Sequence, residues 1–401
     1  MSPKRLIMPL FSPTMGTLGG LTRAIAVANA AIERGFELAF CASGSVERTL
    51  RQRGYRVYTL PSPTMLGLPK IFSRMYARRS KNVSIPVKPG KSFGSVWFVF
   101  FVSGNANRNY LKRLVAAELE AFRDFRADRV FTDLDLGAYL SASIAGLPLA
   151  CAFQGVLLEG KGTLFWNMVR GATDFVLKAY QQPLAPPEEL AFGKHVLKVI
   201  PSIPALEGVD GNQRDICYVG QLLGEIQAEK QAEFQPERGK HYIFAYLGTG
   251  AVPMKTLRKV LPSLIPPGDA RTIIVGGAGP LSLERMGAVE FRDYVSADAL
   301  LPHCDWTICH GGQNTIIQSL LHGVPLLVFP GPIFERRYNA QKVQECGAGM
   351  MGELPDFTPQ WLLPRLEQKD RFSTQARRLG EQISTYGGAQ QAVEAIASWD
   401  G

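Results

Sequence analysis

The residues best suited to chemistry lie in one run, His310-Gly311-Gly312-Gln313-Asn314-Thr315. Asp305 to Cys309 before it reads as a short buried strand. Ile316 to Leu321 after it reads as the first turns of a helix, ended by Gly323 and Pro325. A strand, a His-Gly-Gly turn and a helix N-terminus make a place where an anion docks. The glycines permit close backbone approach, the first helical N–H groups have no intrahelical partner, and the helix dipole favours negative charge. The imidazole adds a donor, and a diphosphate suits the arrangement; the plainer alternative is a core or capping histidine. The two cysteines at 304 and 309 do not make a metal site with the neighbouring histidines. Residues five apart on a strand point to opposite faces, so no metal is expected.

These residues need a scaffold, and the chain supplies alternating strands and helices. Arg5–Phe11 reads as a strand, followed by a glycine-rich loop and a helix from about Leu21 to Glu33 with apolar Leu21, Ile25, Ala28 and Ile32 at helical spacing. Strands follow at 36–41 and 55–60 around a helix at 46–54. After an interruption at 62–104, rich in Pro, Gly and bases, a helix near 106–125, the strand Arg129–Thr132 and a helix near 136–145 resume the pattern. The second half opens with a strand at 241–247 and the turn Gly248-Thr249-Gly250, repeats at 272–277, and then reaches the run at 310. A glycine turn after a strand also brings N–H groups toward phosphate, although alone it proves little. Such alternation gives α/β architecture with parallel sheets covered on both faces.

At 401 residues the chain is long enough for two domains, and 46% hydrophobic with 20% charged residues is ordinary globular composition. The longest notable apolar run, 93–102, is too short to span a bilayer and is expected to be buried or interfacial. Six scattered cysteines and no leader-like N-terminus lead to the expectation of a reducing, cytoplasmic setting. The net charge of +9 is uneven, because residues 48–117 hold fourteen Lys and Arg and no acid. That excess suits an anionic partner such as the inner face of a membrane, met peripherally, or equally a solvated face beside an acceptor pocket. No recognisable nucleic-acid module accompanies it, so nucleic acid is not expected.

His310-Gly-Gly-x-Asn-Thr, Gly323-Val-Pro, Phe329-Pro330, Asn339-Ala340 and Gly347-Ala-Gly349 together resemble the nucleotide-sugar signature of family 1 glycosyltransferases of the GT-B fold. The ordered match covers roughly 300–350, with weaker echoes along nearly the whole chain. The resemblance implies two Rossmann-like, doubly wound parallel-sheet domains facing a cleft. The first, residues 1–222 with the insertion at 62–104, would bind the acceptor. A linker at 223–239 leads to a nucleotide-sugar domain at 240–388, and a helix at 389–401 crosses back. It implies that Gly248, Thr249, Gly250, His310, Gly311, Gly312, Gln313, Asn314 and Thr315 hold the donor diphosphate, and it places Val295, beside Tyr294, near the base.

The departures from the family pattern carry equal weight. Where the family has a Glu for the ribose hydroxyls stands Gln318, whose amide accepts once and donates once. Where it has Asp-Gln for the sugar stand Glu335 and Arg336, followed by Asn339, so a fixed charge replaces a neutral amide. The first loop, with Thr17, Gly19 and Gly20 on the acceptor side, lacks the family's basic histidine: Gly19-Gly20 stands in its place. Asp133 matches the Asp that orients that histidine, and is expected to take the acceptor proton directly or through water, with Asp135 as the neighbouring alternative. Ending a strand and capping the next helix is the competing role for Asp133. The implied reaction is inverting, metal-independent and cofactor-free transfer of a sugar from a UDP- or dTDP-sugar to a small, apolar or amphipathic acceptor hydroxyl. A non-catalytic auxiliary protein that lost the base, and a nucleotide-sugar epimerase of the same fold, are the alternatives.

Overall fold

Strand β1 (Arg5–Pro9) shows why the first half folds as it does. Leu6, Ile7 and Met8 have no exposed surface, and they alternate between two cores. Ile7 faces a core with Leu111, Leu114 and Val115 of the helix Arg108–Phe125. Leu6 and Met8 face the other, with Ala24, Ile25 and Ala28 of the helix Gly19–Glu33. A strand buried on both faces needs helices on both sides and reads as an unbroken apolar run. The structure, a computed structural model, describes residues 4–10, 19–63, 91–224, 234–237, 239–247, 252–277 and 283–401.

The first sheet continues with β2 (Glu37–Ala42), β3 (Val57–Thr59), β4 (Arg129–Thr132), β5 (Leu149–Ala152), β6 (Val196–Ile200) and β7 (Ile216–Tyr218). They lie in the order β3-β2-β1-β4-β5-β6-β7, all parallel. The second sheet holds β8 (His241–Tyr246), β9 (Arg271–Val275), β10 (Glu284–Met286), β11 (Val289–Phe291), β12 (Cys304–Cys309), β13 (Leu326–Val328) and β14 (Gly349–Met351), ordered β10-β11-β9-β8-β12-β13-β14. Both sheets reverse direction of travel beside their first strand, which leaves a crevice at the carboxyl ends of the strands. One element departs from the parallel expectation. β10 pairs antiparallel with β11 through a tight turn in which Gly287 has φ +61°.

The apolar run at 93–102 forms the helix Val96–Val102, with Trp97 and Phe100 buried in the first core. The last helix, Gly388–Ser398, returns to the first half and packs on the helix Gly19–Glu33. Ala392, Val393, Ile396 and Trp399 join the core beneath β1, and the Arg129 guanidinium donates to the carbonyls of Ile396 and Trp399. No helix among the described residues is long and apolar enough to cross a membrane.

Candidate functional site

The turn at 310–312 leaves the carboxyl end of β12 in a conformation that only glycine holds easily. Gly311 has φ +88°, and a Cβ there would stand 2.7 Å from the Arg336 carbonyl oxygen. Asn339 Nδ2 donates to the Gly311 carbonyl at 2.9 Å, so the helix Phe334–Glu345 grips the turn from outside. Gly312 is the N-cap of the helix Gln313–Leu321, and no side chain caps it. Its first-turn N–H groups therefore remain available to an anion. His310 is buried, and its Nδ1 stands 3.2 Å from the Tyr246 carbonyl oxygen at the end of β8. Burial, with the Arg336 charge beside it, brings its pKa down to about 4. Free of ligand, the imidazole is neutral at pH 7.

Two residues at this helix start also hold the two halves together. Gln313 Nε2 donates to Glu207 Oε1 at 3.0 Å, and Gly155 N–H donates to Glu207 Oε2 at 2.9 Å. Asn314 Nδ2 donates to Thr22 Oγ1 at 3.1 Å on the first helix, and Thr315 is buried beneath. Burial raises the Glu207 carboxyl to about 7.

Across the seam lies a charge cluster. Arg23 holds Asp133 in a two-pronged ion pair, Nε to Oδ2 at 2.8 Å and Nη2 to Oδ1 at 3.2 Å. Glu335 and Arg336, in the first turn of the helix Phe334–Glu345, are half-buried nearby. Burial raises the Glu335 carboxyl, against the pull of Arg23 and Arg336. Burial likewise lowers the Arg336 guanidinium, against the pull of Glu335. Gly20 lies against this cluster: a Cβ there would stand 3.2 Å from Asp133 Oδ2. Among the described residues, Arg23, one turn further along the helix, pairs with Asp133.

Asp133 and Asp135 are expected as neighbouring alternatives, and the backbone separates them. Leu134 between them has φ +58°, a left-handed conformation that L side chains rarely adopt. Asp133 pairs with Arg23, while Asp135 Oδ1 accepts from Gly137 N–H at 2.9 Å as the N-cap of the helix Leu136–Ala145. The capping role weighed for Asp133 thus belongs to Asp135. Burial lifts Asp135 to about 6 beside the fully buried Glu118, itself raised well above the usual range by burial.

The remaining expected residues are scattered around this centre. Gln318 Nε2 donates to Asp298 Oδ1 at 3.3 Å, so a carboxylate stands beside the amide after all. Val295 packs with the Phe244 and Tyr242 cluster, and Tyr294 is exposed. Asn339, expected at the sugar, is buried, and its Nδ2 donates to the Gly311 carbonyl. Gly19 opens the first helix, and a Cβ there would stand 4.0 Å from Asn314 Nδ2. Thr17, Gly248, Thr249 and Gly250 lie outside the described residues, as does the centre of the basic stretch at 64–90. Of its described members, Arg51 pairs with Glu47 and Arg56 with Asp124. Among the described residues no group of three or more His, Cys, Asp or Glu is placed to hold a metal ion.

Arg23, Thr22, Glu207 and Asp298 are the participants that sequence reasoning missed. Only Arg23 left a trace, as a lone cation one helical turn after the glycines where a histidine is usual.

In the first half the aromatic stretch meets the second half directly. Phe93 N–H donates to the Pro332 carbonyl at 2.6 Å and its carbonyl accepts from Phe334 N–H at 3.2 Å. The rings of Phe98 and Phe101 each lie 5.0 Å from that of Phe165, and Leu164 beside it is exposed. This apolar cluster reaches the second half through Phe93, beside Pro332 and Phe334.

Residues 271–385 match the family described as erythromycin biosynthesis protein CIII-like, C-terminal domain. The chain is 33% identical over 95 residues to the aclacinomycin-T 2-deoxy-L-fucose transferase of Streptomyces galilaeus, covering 23% of this chain and 22% of that one. The chain spans under half the length of the curated relatives it matches. Solved structures extend the likeness to the whole length. The calicheamicin glycosyltransferase CalG4 superposes with a TM-score of 0.74 at 16% identity, covering 100% of this chain and 98% of that one. The glycosyltransferase VinC, solved in complex with dTDP, gives 0.68 at 18% identity over 99% of each chain. The chain has the GT-B fold, and its residues 271–385 are similar to the erythromycin biosynthesis protein CIII-like C-terminal domain.

Proposed function

We propose that this protein transfers a sugar from a nucleotide-diphosphate donor to the hydroxyl of a small, largely apolar acceptor, with inversion at the anomeric carbon and without a metal ion. The observation that carries the reading is the uncapped helix Gln313–Leu321 behind the Gly311 turn, facing the seam between two Rossmann-like halves. Preorganised N–H groups there stabilise the charge that builds on the departing diphosphate. A thymidine diphosphate donor is favoured, since VinC was solved with dTDP. Glu335 and Arg336 meet the sugar, and the wall of Phe98, Phe101 and Phe165 receives the acceptor.

The acceptor oxygen attacks the anomeric carbon as the bond to the diphosphate oxygen breaks, and its proton passes to a cleft carboxylate. Asp133 is held by Arg23, whereas Glu335 has a raised pKa and no hydrogen bond to its side chain among the described residues. Glu335 is therefore the base that takes the acceptor proton in this reading, and Asp133 with Arg23 positions the acceptor. Incubation with dTDP-glucose or UDP-glucose and a panel of phenolic and macrocyclic alcohols, read by mass spectrometry, tests the reading. A hexosyl adduct with stoichiometric nucleotide diphosphate, absent in His310→Ala, is expected. Donor binding with no adduct on any acceptor would favour an auxiliary binding protein, the reading that the missing histidine and the paired Asp133 also suit.

A further inference from the structure

His310 is held in one tautomer by its surroundings, and that constrains how an anion can bind. A backbone carbonyl only accepts hydrogen bonds, so the contact of 3.2 Å with the Tyr246 oxygen requires the proton on Nδ1. In the neutral ring Nε2 then carries a bare lone pair. Nε2 faces the start of the diphosphate helix, since a Cβ on Gly312 would lie 3.0 Å from it. A phosphate oxygen arriving there meets lone pair against lone pair, and the contact becomes attractive only when Nε2 also holds a proton.

We propose that His310 engages the donor diphosphate as the imidazolium, so that each nucleotide-sugar enters with one proton from solvent, carried on Nε2. The inference rests on the donor-site reading above and adds the charge state in which that site works.

The groups around the ring set the direction of the effect. Tyr246 reaches it from β8, with ring centroids 5.6 Å apart. Cys309 precedes it on β12. From the helix Phe334–Glu345 come Arg336, whose charge disfavours the imidazolium, and Glu335 behind it. With burial, these keep the ring neutral before the donor arrives. A diphosphate seated between His310 and Arg336 reverses the balance, because opposite charge at hydrogen-bond distance favours the protonated form. The proton stays on Nε2 while the bond from the anomeric carbon to the diphosphate oxygen breaks, and returns to solvent when nucleotide diphosphate leaves.

Titration calorimetry with dTDP-glucose and UDP-glucose, in two buffers of different ionisation enthalpy, reads the proton count. The diphosphate of a nucleotide-sugar is esterified at both ends and has no ionisation near neutrality, so the count belongs to the protein. Uptake of close to one proton per nucleotide-sugar at pH 7 is expected, with affinity falling about tenfold per pH unit across the range where that uptake holds and levelling off once the bound imidazolium titrates. His310→Gln keeps a donor for the Tyr246 carbonyl and should bind with that uptake lost. Binding by the unaltered protein with no proton uptake would overturn the proposal without any variant. Equal uptake in His310→Gln would also overturn it, by assigning the proton to Glu335 or Glu207. No binding of either nucleotide-sugar at millimolar concentration would instead overturn the donor-site reading itself.

Discussion

At the residue scale, Arg23 and Asp133 form a buried ion pair beside a glycine. Gly20 leaves space against the Asp133 carboxylate, and the guanidinium from the next turn of the same helix closes on it with two hydrogen bonds. Removing one partner of a buried pair leaves the other charge uncompensated. Asp133→Asn should therefore cost about 3 kcal/mol in urea unfolding. The double change Arg23→Met with Asp133→Leu should cost less than Asp133→Asn alone, because an apolar pair removes both charges together. Gly311 is constrained by backbone. Its φ of +88° and the Arg336 oxygen at 2.7 Å from a would-be Cβ leave no room for Ala. Gly311→Ala should lower stability by about 1–3 kcal/mol, seen as a reduced urea midpoint, and abolish nucleotide binding.

At the element scale, the helix Gln313–Leu321 is tied to the first half through Glu207 and Thr22 as well as to its own sheet. The Glu207 carboxyl is raised by burial from 4.5 to about 7. The folded chain thus holds a proton there that the unfolded chain releases between about pH 4.5 and 7. Its contribution to stability falls as pH rises through that window, by about 3 kcal/mol at most. Urea unfolding of Glu207→Gln at pH 5 and pH 7 should show a smaller fall than the parent chain. An equal fall would assign the dependence to Asp135, Glu118 and Glu335, which burial shifts the same way. The closing helix Gly388–Ser398 is needed in a different sense. Removing residues 388–401 uncovers the core around Val393 and Ile396 and strips Arg129 of its carbonyl partners. Loss of a cooperative thermal transition, followed by circular dichroism, is the expected result.

At the scale of the whole molecule, two sheets of the same winding meet along a seam that brings His310, Glu335 and Arg336 toward Arg23 and Asp133. Much of this was legible in the sequence. Apolar runs such as Leu6-Ile7-Met8 and Tyr242-Ile243-Phe244 specify strands buried on both faces, and the glycines of 311 and 312 mark the turn that the backbone requires. The β10–β11 hairpin escaped because its strands are only three residues each, too short for a period to show. The seam escaped for a different reason. Glu207 and Gln313 are 106 positions apart and Thr22 and Asn314 are 292 apart, and no local pattern links residues that only the docking of two halves brings together. Leu134 is a third case, a left-handed residue with no glycine to announce it, so the separation of Asp133 from Asp135 could not be read.

The donor site is the centre of this account, and thermal stability in the presence of nucleotides tests it most directly. A ligand that binds only the folded chain must raise its melting temperature. The purified protein is heated with UDP, dTDP, GDP and their common sugars, with His310→Ala measured alongside. A rise of several degrees for one nucleotide, absent in the variant, is the predicted result. An unchanged melting temperature with every nucleotide at millimolar concentration would contradict it.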